Sequence, residues 1–163
     1  MRRDLSKVAF TQEEYERYIY GSAEVVGLMC LKVFTSGNSK QCRELETGAK
    51  ALGAAYQKVN FLRDISNDVS RLGRVYFPNV TGAVLDETQK AVIISDISKD
   101  FSVAETYLDK LPSSARRAVK TSYFFYSRLL AKLARTPAAV LMQRRIRVSA
   151  AEKLLLFIRG YFS

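Results

Sequence analysis

Histidine is absent from the 163 residues, and with it goes every triad, zinc site and proton relay that needs an imidazole. Chemistry in this chain falls to carboxylates, tyrosines and arginines. Cysteine is scarce: Cys30 and Cys42 stand alone, too few for a disulfide framework and without metal-ligand spacing, so both read as reduced thiols of a cytoplasmic protein. No apolar run approaches the roughly 18 residues of a membrane span, because Glu24 and Lys32 interrupt the stretch from Ala23 to Phe34. The opening Met1-Arg2-Arg3-Asp4-Leu5 has no apolar core behind it and does not read as a secretion signal. Proline occurs only at 78, 112 and 137, and the apolar residues recur at helical rather than alternating spacing, which predicts an all-α protein.

Positive charge is what the chain has in excess. With 26 Lys plus Arg against 16 Asp plus Glu the formal charge is +10, so the expected partner is anionic: a phosphate, a nucleic acid or a lipid headgroup surface. A length of 163 residues, 48% hydrophobic, suits one core or one lobe of a larger one, and 1–163 is taken as a single domain.

Punctuation divides the chain into helices. Thr11-Gln12-Glu13-Glu14 is a capping box, predicting a helix from there to about Phe34. The polar segment Thr35 to Lys40 is a loop by composition, and a second long helix is expected from about Cys42 through Asp68, ended by Gly73 and Pro78. A third is expected over Asp86 to Leu111, a fourth from Pro112 to about Arg135, and a short last one after the capping box Ser149-Ala150-Ala151-Glu152. Small residues crowd the first two helices: Gly21, Ser22, Ala23 and Gly27 on one, Gly48, Ala49, Ala51, Gly53, Ala54 and Ala55 on the other. Slim helices of this kind face each other closely or share a cavity.

The chemistry concentrates in residues 57–68. At about 100° per residue Gln57, Asn60, Asp64 and Asp68 form one polar stripe roughly 80° wide, flanked by Leu52, Tyr56, Val59, Phe61, Leu62 and Ile65. A helix that apolar lies inside the protein, so the stripe is expected to line a cavity. Asp64 and Asp68 repel across one turn by about 0.2 to 0.5 kcal/mol even when exposed, and by more when desolvated. Arginines on a solvated face, or a hard divalent cation held by Asn60, Asp64 and Asp68 with water and phosphate oxygens, would offset that cost.

Gln57, Asn60, Arg63, Asp64 and Asp68 match Q-x-x-N-x-x-R-D-x-x-x-D, Gly73-Arg74-Val75-Tyr76-Phe77-Pro78 matches G-R-x-Y-x-P, and Tyr18 to Met29 pairs tyrosines with small residues. Together and in this order they resemble the squalene and phytoene synthases. The resemblance implies the all-helical isoprenoid synthase fold and head-to-head coupling of two prenyl diphosphates through a cyclopropylcarbinyl diphosphate. Geranylgeranyl diphosphate going to phytoene is favoured by the wording of the first helix; farnesyl diphosphate going to squalene, with NADPH, is the alternative, as is a non-catalytic helical assembly protein.

By the same resemblance Asn60, Asp64 and Asp68 are Mg²⁺ ligands, with Mn²⁺ as a substitute, and Gln57, Arg63 and Arg74 border the diphosphate. Tyr18 is the tyrosine facing the reacting carbons, Tyr126 the late cavity tyrosine and Arg145 a late diphosphate-binding arginine. Family members carry a further aspartate-rich motif upstream of the tyrosine helix. The match covers about the C-terminal three-fifths of their length, so the expectation is an N-terminally truncated fold with little synthase activity and exposed apolar surface prone to self-association. Arg116, Arg117, Lys120, Arg128, Lys132 and Arg135 on one helix make no recognised nucleic-acid reader. Peripheral attraction to the inner membrane surface suits those charges and hydrocarbon substrates better.

Overall fold

The structure is a computed structural model that describes residues 10–80 and 84–161; the opening Met1 to Leu5 segment lies outside the described residues. Helices account for every regular element among them, which agrees with the all-α expectation.

The first helical stretch begins where its capping box places it. Thr11 Oγ1 accepts from the Glu14 amide and a Glu14 carboxylate oxygen from the Thr11 amide. It is not one uniform helix: α1 (Gln12–Ile19) passes through a π-helical turn (Tyr20–Glu24) into α2 (Val25–Phe34). Tyr15, Ile19, Ala23 and Leu31 are buried and, with Gly27, recur every four residues. An α-helix with that spacing drifts about 40° per step away from its partner. The wider π turn takes part of the drift back and keeps the face on α3.

Helix α3 (Ser39–Leu72) starts earlier than expected, because the Asn38 side chain accepts from the Lys40 and Gln41 amides and so caps the helix three residues before Cys42. It ends at Gly73, whose φ of 60° is left-handed. The Gly73 amide donates to the Val69 carbonyl and the Arg74 amide to the Asp68 carbonyl. This Schellman-type turn satisfies the last carbonyls and folds Arg74 back over the turn that carries Asp68.

Where α2 and the π turn cross α3, the backbones touch. A Cβ on Gly53 would stand 2.5 Å from the Ala23 carbonyl oxygen, and one on Gly27 2.5 Å from that of Ala49. The two glycines make reciprocal contacts, and the expected slim faces do meet each other.

Helix α4 (Glu87–Leu108) packs along α3 from the other side. Its start is a second capping box, Asp86 with Gln89. Helix α5 (Ser113–Arg135) follows Pro112, which stands just outside rather than in the first turn. A four-residue helix α6 (Ala138–Leu141), which the spacing did not predict, leads towards α7 (Ala150–Tyr161). One continuous core joins Leu62, Ile97, Leu129, Leu133 and Leu141. Tyr20, Val26, Met29 and Val33 leave an apolar surface on the outer side of α2 and its π turn, from 50% to 75% exposed.

Helix α7 is tied to α5 by Glu152. Its carboxylate receives Arg128 at 2.7 and 2.9 Å, Lys132 at 2.8 Å and the Ser149 amide at 2.9 Å. Two of the six basic residues on α5 thus share the Glu152 carboxylate, and a third, Lys120, pairs with Asp109 at 2.7 Å. Hydrogen bonds from Lys132, Ser149 and Arg128 hold the Glu152 carboxyl far below its ordinary value of 4.5. A carboxyl depressed on folding stabilises the fold above its unfolded value and loses that stabilisation as pH falls through its folded one. Acidification below about pH 4.5 is accordingly expected to loosen α7, and the Glu152→Gln variant to lose that part of the acid response; amide exchange over 150–161 as a function of pH measures both.

Candidate active site

The site is built on α3. A cavity of about 340 Å³, within the usual range for small-molecule pockets, opens between the first helical stretch, α3, α4 and α5. Its wall is small or apolar: Ala23, Gly27, Gly48, Gly53, Tyr107 and Leu108 contribute, with Tyr56 and Gln57 among the residues bordering it. The small residues that let α2 approach α3 also leave this space open. Of the polar stripe only Gln57 lines the cavity. Asn60, Asp64 and Asp68 continue from it along α3, half-buried, so the expectation that the whole stripe lines one hollow is corrected: at about 1.5 Å of rise per residue Asp68 stands roughly 16 Å further along the axis than Gln57, past the cavity end.

Over Asn60 lies an aromatic pair. Tyr56 and Tyr126 stack with centroids 4.0 Å apart. The Tyr56 hydroxyl bonds Ser122 Oγ at 2.7 Å, and the Tyr126 hydroxyl donates weakly to Asn60 Oδ1 at 3.4 Å. Burial holds the Tyr56 phenol well above its ordinary range, so it stays a neutral ring at the cavity border.

Asp64 is clamped by two arginines. Arg63 reaches it through Nη2 at 2.6 Å and Nε at 3.1 Å, and Arg145 Nε approaches Oδ1 at 2.7 Å. Arg145 comes from the connection between α6 and α7, 81 positions along the chain from Asp64, so the fold joins two residues that the sequence could associate only by order. Asp68 has no such clamp. Burial, and then repulsion by Asp64, raise its pKa above the ordinary 3.8, while Arg74 pulls it down. The two carboxylates are thus held unequally: one neutralised by guanidinium groups, the other kept partly uncompensated.

Asn60, Asp64 and Asp68 offer an amide and two carboxylates on successive turns. Hard oxygen donors with one or two carboxylates suit Mg²⁺, which keeps waters and takes phosphate oxygens as its remaining ligands. Asp68 is half-buried one turn from Asp64 without the guanidinium clamp that Asp64 has, and a divalent cation would compensate its charge. The donor set therefore fits part of a magnesium sphere. Among the described residues no group of three or more His, Cys, Asp or Glu converges on one point.

Tyr18 sits elsewhere on the first stretch. Its ring lies 5.7 Å from Phe10, 5.7 Å from Phe61 and 5.5 Å from Tyr76, in a cluster where Phe61 and Tyr76 stack at 4.0 Å. Tyr76, from the segment after Gly73, thereby pins that segment to α3.

A second DxxxD, Asp96 and Asp100 on α4, stands outside the longer motif and was not expected to form a site. Its fate differs. Lys58 of α3 reaches Asp96 at 2.6 Å and Asp100 at 2.8 Å. Burial pulls the Lys58 ammonium down, but its hydrogen bonds to Asp100 and Asp96 outweigh that and leave it above its ordinary value. A protein cation occupies this acidic pair, making it a link between α3 and α4.

Comparison with known proteins agrees with this geometry. The squalene/phytoene synthase family model matches residues 1–83. Phytoene synthase 2 of Solanum lycopersicum is 32% identical over 95% of this chain and 55% of its own length. The bifunctional lycopene cyclase/phytoene synthase of Neurospora crassa is 26% identical over 98% of this chain and 30% of its own. The crystal structure of squalene synthase HpnC from Alicyclobacillus acidocaldarius superposes with a TM-score of 0.67 at 21% identity, covering 89% of this chain and 57% of that one. The chain thus spans between 30% and 57% of the length of these three proteins. A family match over half the chain, carrying the Gln57 to Asp68 motif on a helix bordering an apolar cavity, establishes that the chain belongs to the squalene/phytoene synthase family.

Proposed function

We infer that this chain provides the second aspartate wall of a head-to-head prenyltransferase, binding the diphosphate of a prenyl substrate on the Asp64–Asp68 face of α3 and its hydrocarbon tail in the adjoining cavity. The observation that supports this best is the continuity of the two. Gln57 belongs both to the apolar cavity and to the polar stripe, so an amphipathic substrate laid along α3 passes from one to the other. The residues 1–163 act as one domain in this reading.

Asn60, Asp64 and Asp68 would hold Mg²⁺, which supplies neutralisation of the leaving diphosphate. The arginines add fixed charge. Arg63 and Arg145, paired with Asp64 in the ligand-free protein, are placed to turn their remaining donors to phosphate oxygens, a geometry guanidinium groups suit. Arg74 stands by Asp68 at the far end of the stripe. Gln57 and Asn60 orient the head group by hydrogen bonding, and the stacked rings of Tyr56 and Tyr126 offer π faces to positive charge developing on the allylic carbon. Tyr18 contributes a further ring from the first stretch. The small-residue walls keep water away from that carbon.

Geranylgeranyl diphosphate as substrate and phytoene as product are favoured by the names of the relatives; farnesyl diphosphate, squalene and NADPH form the second reading. The chain spans between 30% and 57% of the length of these relatives, and the purified 163-residue chain is expected to bind a prenyl diphosphate with Mg²⁺ without measurable turnover. Formation of phytoene or its cyclopropyl precursor would overturn that expectation. Long hydrocarbon substrates and the +10 charge support a reaction carried out at a membrane surface.

Arg145 separates this reading from a purely structural ion pair. Arg145→Gln removes one of the two guanidinium groups that neutralise Asp64 and leaves Oδ1 only its longer Arg63 contact of 3.1 Å, so Mg²⁺ alone is expected to bind more tightly, whereas the prenyl diphosphate with Mg²⁺ binds about tenfold more weakly for want of a charge-assisted contact. Calorimetric titration with each ligand measures the two effects. Changes of the same sign would remove Arg145 from the diphosphate site.

A further inference from the structure

Helix α7 presents an apolar face outward. At about 100° per residue Ala151, Leu154, Leu155 and Ile158 share an arc of about 100°, and the three large ones are 62%, 66% and 45% exposed. Rotation of the helix cannot hide them, because the opposite side is committed to α5. There Glu152 holds Arg128 and Lys132, Leu156 joins the core, and Gly160 lies so close to α5 that a Cβ would fall 2.1 Å from Thr121 Oγ1.

Cations border the stripe. Arg159 lies beside Leu155, its guanidinium 4.2 Å from the Phe124 ring, and Lys153 lies beyond the exposed Phe157 on the other flank, its ammonium 5.9 Å from the Phe125 ring. Exposed Arg144 and Arg147 lead into the helix. The one acid of α7 is Glu152, which is turned inward and already matched. An apolar stripe edged with lysine and arginine, without outward acid, complements a surface that is oily inside and anionic at its rim. A second copy of the same face would set cations against cations.

We propose that α7 lies flat on an anionic lipid bilayer, with Leu154, Leu155 and Ile158 entering the boundary between headgroups and acyl chains and Lys153, Arg159, Arg144 and Arg147 meeting the headgroup phosphates. Such a helix binds through apolar burial and electrostatic attraction together. The proposal deepens the membrane-surface reading above and rests on it for its purpose, but the contact itself needs neither the diphosphate site nor Mg²⁺.

Sedimentation of the full chain with phosphatidylcholine vesicles, and with phosphatidylcholine vesicles containing phosphatidylglycerol, tests it in the absence of substrate and metal. Binding to the anionic vesicles, weakened by salt, is expected. The L154S/L155S/I158S variant is expected to lose roughly 100-fold in partitioning. R144Q/R147Q, which leaves α7 intact, is expected to lose about 25-fold on anionic vesicles and little on neutral ones. Asp68→Asn is expected to bind vesicles as the unaltered chain does, so failure of the catalytic reading and failure of this one remain distinguishable. The proposal is overturned if the unaltered chain ignores anionic vesicles, if R144Q/R147Q binds them undiminished, or if sedimentation velocity shows a dimer that the serine variant dissolves.

Discussion

Replacing Asp68 by Asn is expected to lower Mg²⁺-dependent affinity for a prenyl diphosphate about 100-fold, the loss of roughly 2 to 3 kcal/mol for one charge-assisted ligand, without weakening the ligand-free fold. The second half follows from the direction of the Asp68 shift. Burial and Asp64 raise its pKa above 3.8, so the folded chain binds this proton more tightly than the unfolded one. Stability from this group is therefore greatest at low pH and falls as pH rises from 3.8 to the raised folded value. Removing the charge relieves that cost; like-charge repulsion across one turn alone is about 0.2 to 0.5 kcal/mol, and Arg63 and Arg145 beside Asp64 keep the gain at the lower end. Opposite signs for binding and stability mark a residue retained for function. Thermal unfolding with and without ligand reads both quantities. A variant that loses stability and keeps its affinity would make Asp68 a structural residue.

The second large effect is mechanical. Gly53→Ala places a Cβ 2.5 Å from the Ala23 carbonyl oxygen and 3.0 Å from its carbon, and backbone atoms cannot swing aside. Forced separation of two packed helices costs typically 1 to 3 kcal/mol, or more, against at most about 1 kcal/mol gained from the better helix propensity of alanine. A net loss of about 2 kcal/mol, or roughly 4 to 8 °C in midpoint, is expected. Gly27→Ala strikes the same crossing through the Ala49 carbonyl, so the double variant should lose less than the sum: once the helices part, the second methyl finds room. Gly21→Ala is the control, since a Cβ there meets nothing within 4 Å. Scanning calorimetry of the four variants gives the comparison. A Gly53→Ala protein as stable as the parent would show that the reciprocal glycine contacts do not define the crossing.

Much of this architecture could be read from local signals. Thr11 with Glu14 and Ser149 with Glu152 formed the caps their spacing implies, Gly73 ended α3, and the small residues of the first two helices meet at the crossing and the cavity. These features depend on neighbours within a few residues, or on one face of one helix. What escaped the sequence depends on tertiary partners. The only sequence signal of the π turn is a four-residue period held from Tyr15 to Leu31, longer than an α-helix sustains. Short α6 has too few residues for periodicity to show. Asn38 took the capping role because its side chain folded onto two amides, whereas composition described the surrounding segment as loop.

The chemistry divides the same way. The stripe from Gln57 to Asp68 follows from helix geometry alone, but its arginine partners do not: Arg63 is adjacent in sequence and Arg145 distant, and both meet at Asp64. The two DxxxD pairs, Asp64 with Asp68 and Asp96 with Asp100, have identical spacing. Only folding reveals that Lys58 is inserted between the second pair, leaving the first as the pair facing guanidinium groups that a phosphate could recruit.

The claim on which this account rests is that a divalent cation and a diphosphate meet on the α3 face at Asn60, Asp64 and Asp68. Paramagnetic broadening by Mn²⁺ in the presence of a non-hydrolysable prenyl diphosphate tests it most directly, read on the side-chain amides of Asn60 and Gln57 and on the backbone amides of Ser98 and Lys99. The account predicts strong broadening at Asn60, weaker broadening at Gln57 and none at Ser98 and Lys99, all of it removed by excess Mg²⁺. Broadening centred on Ser98 and Lys99, or sharp Asn60 and Gln57 signals throughout the titration, would contradict it.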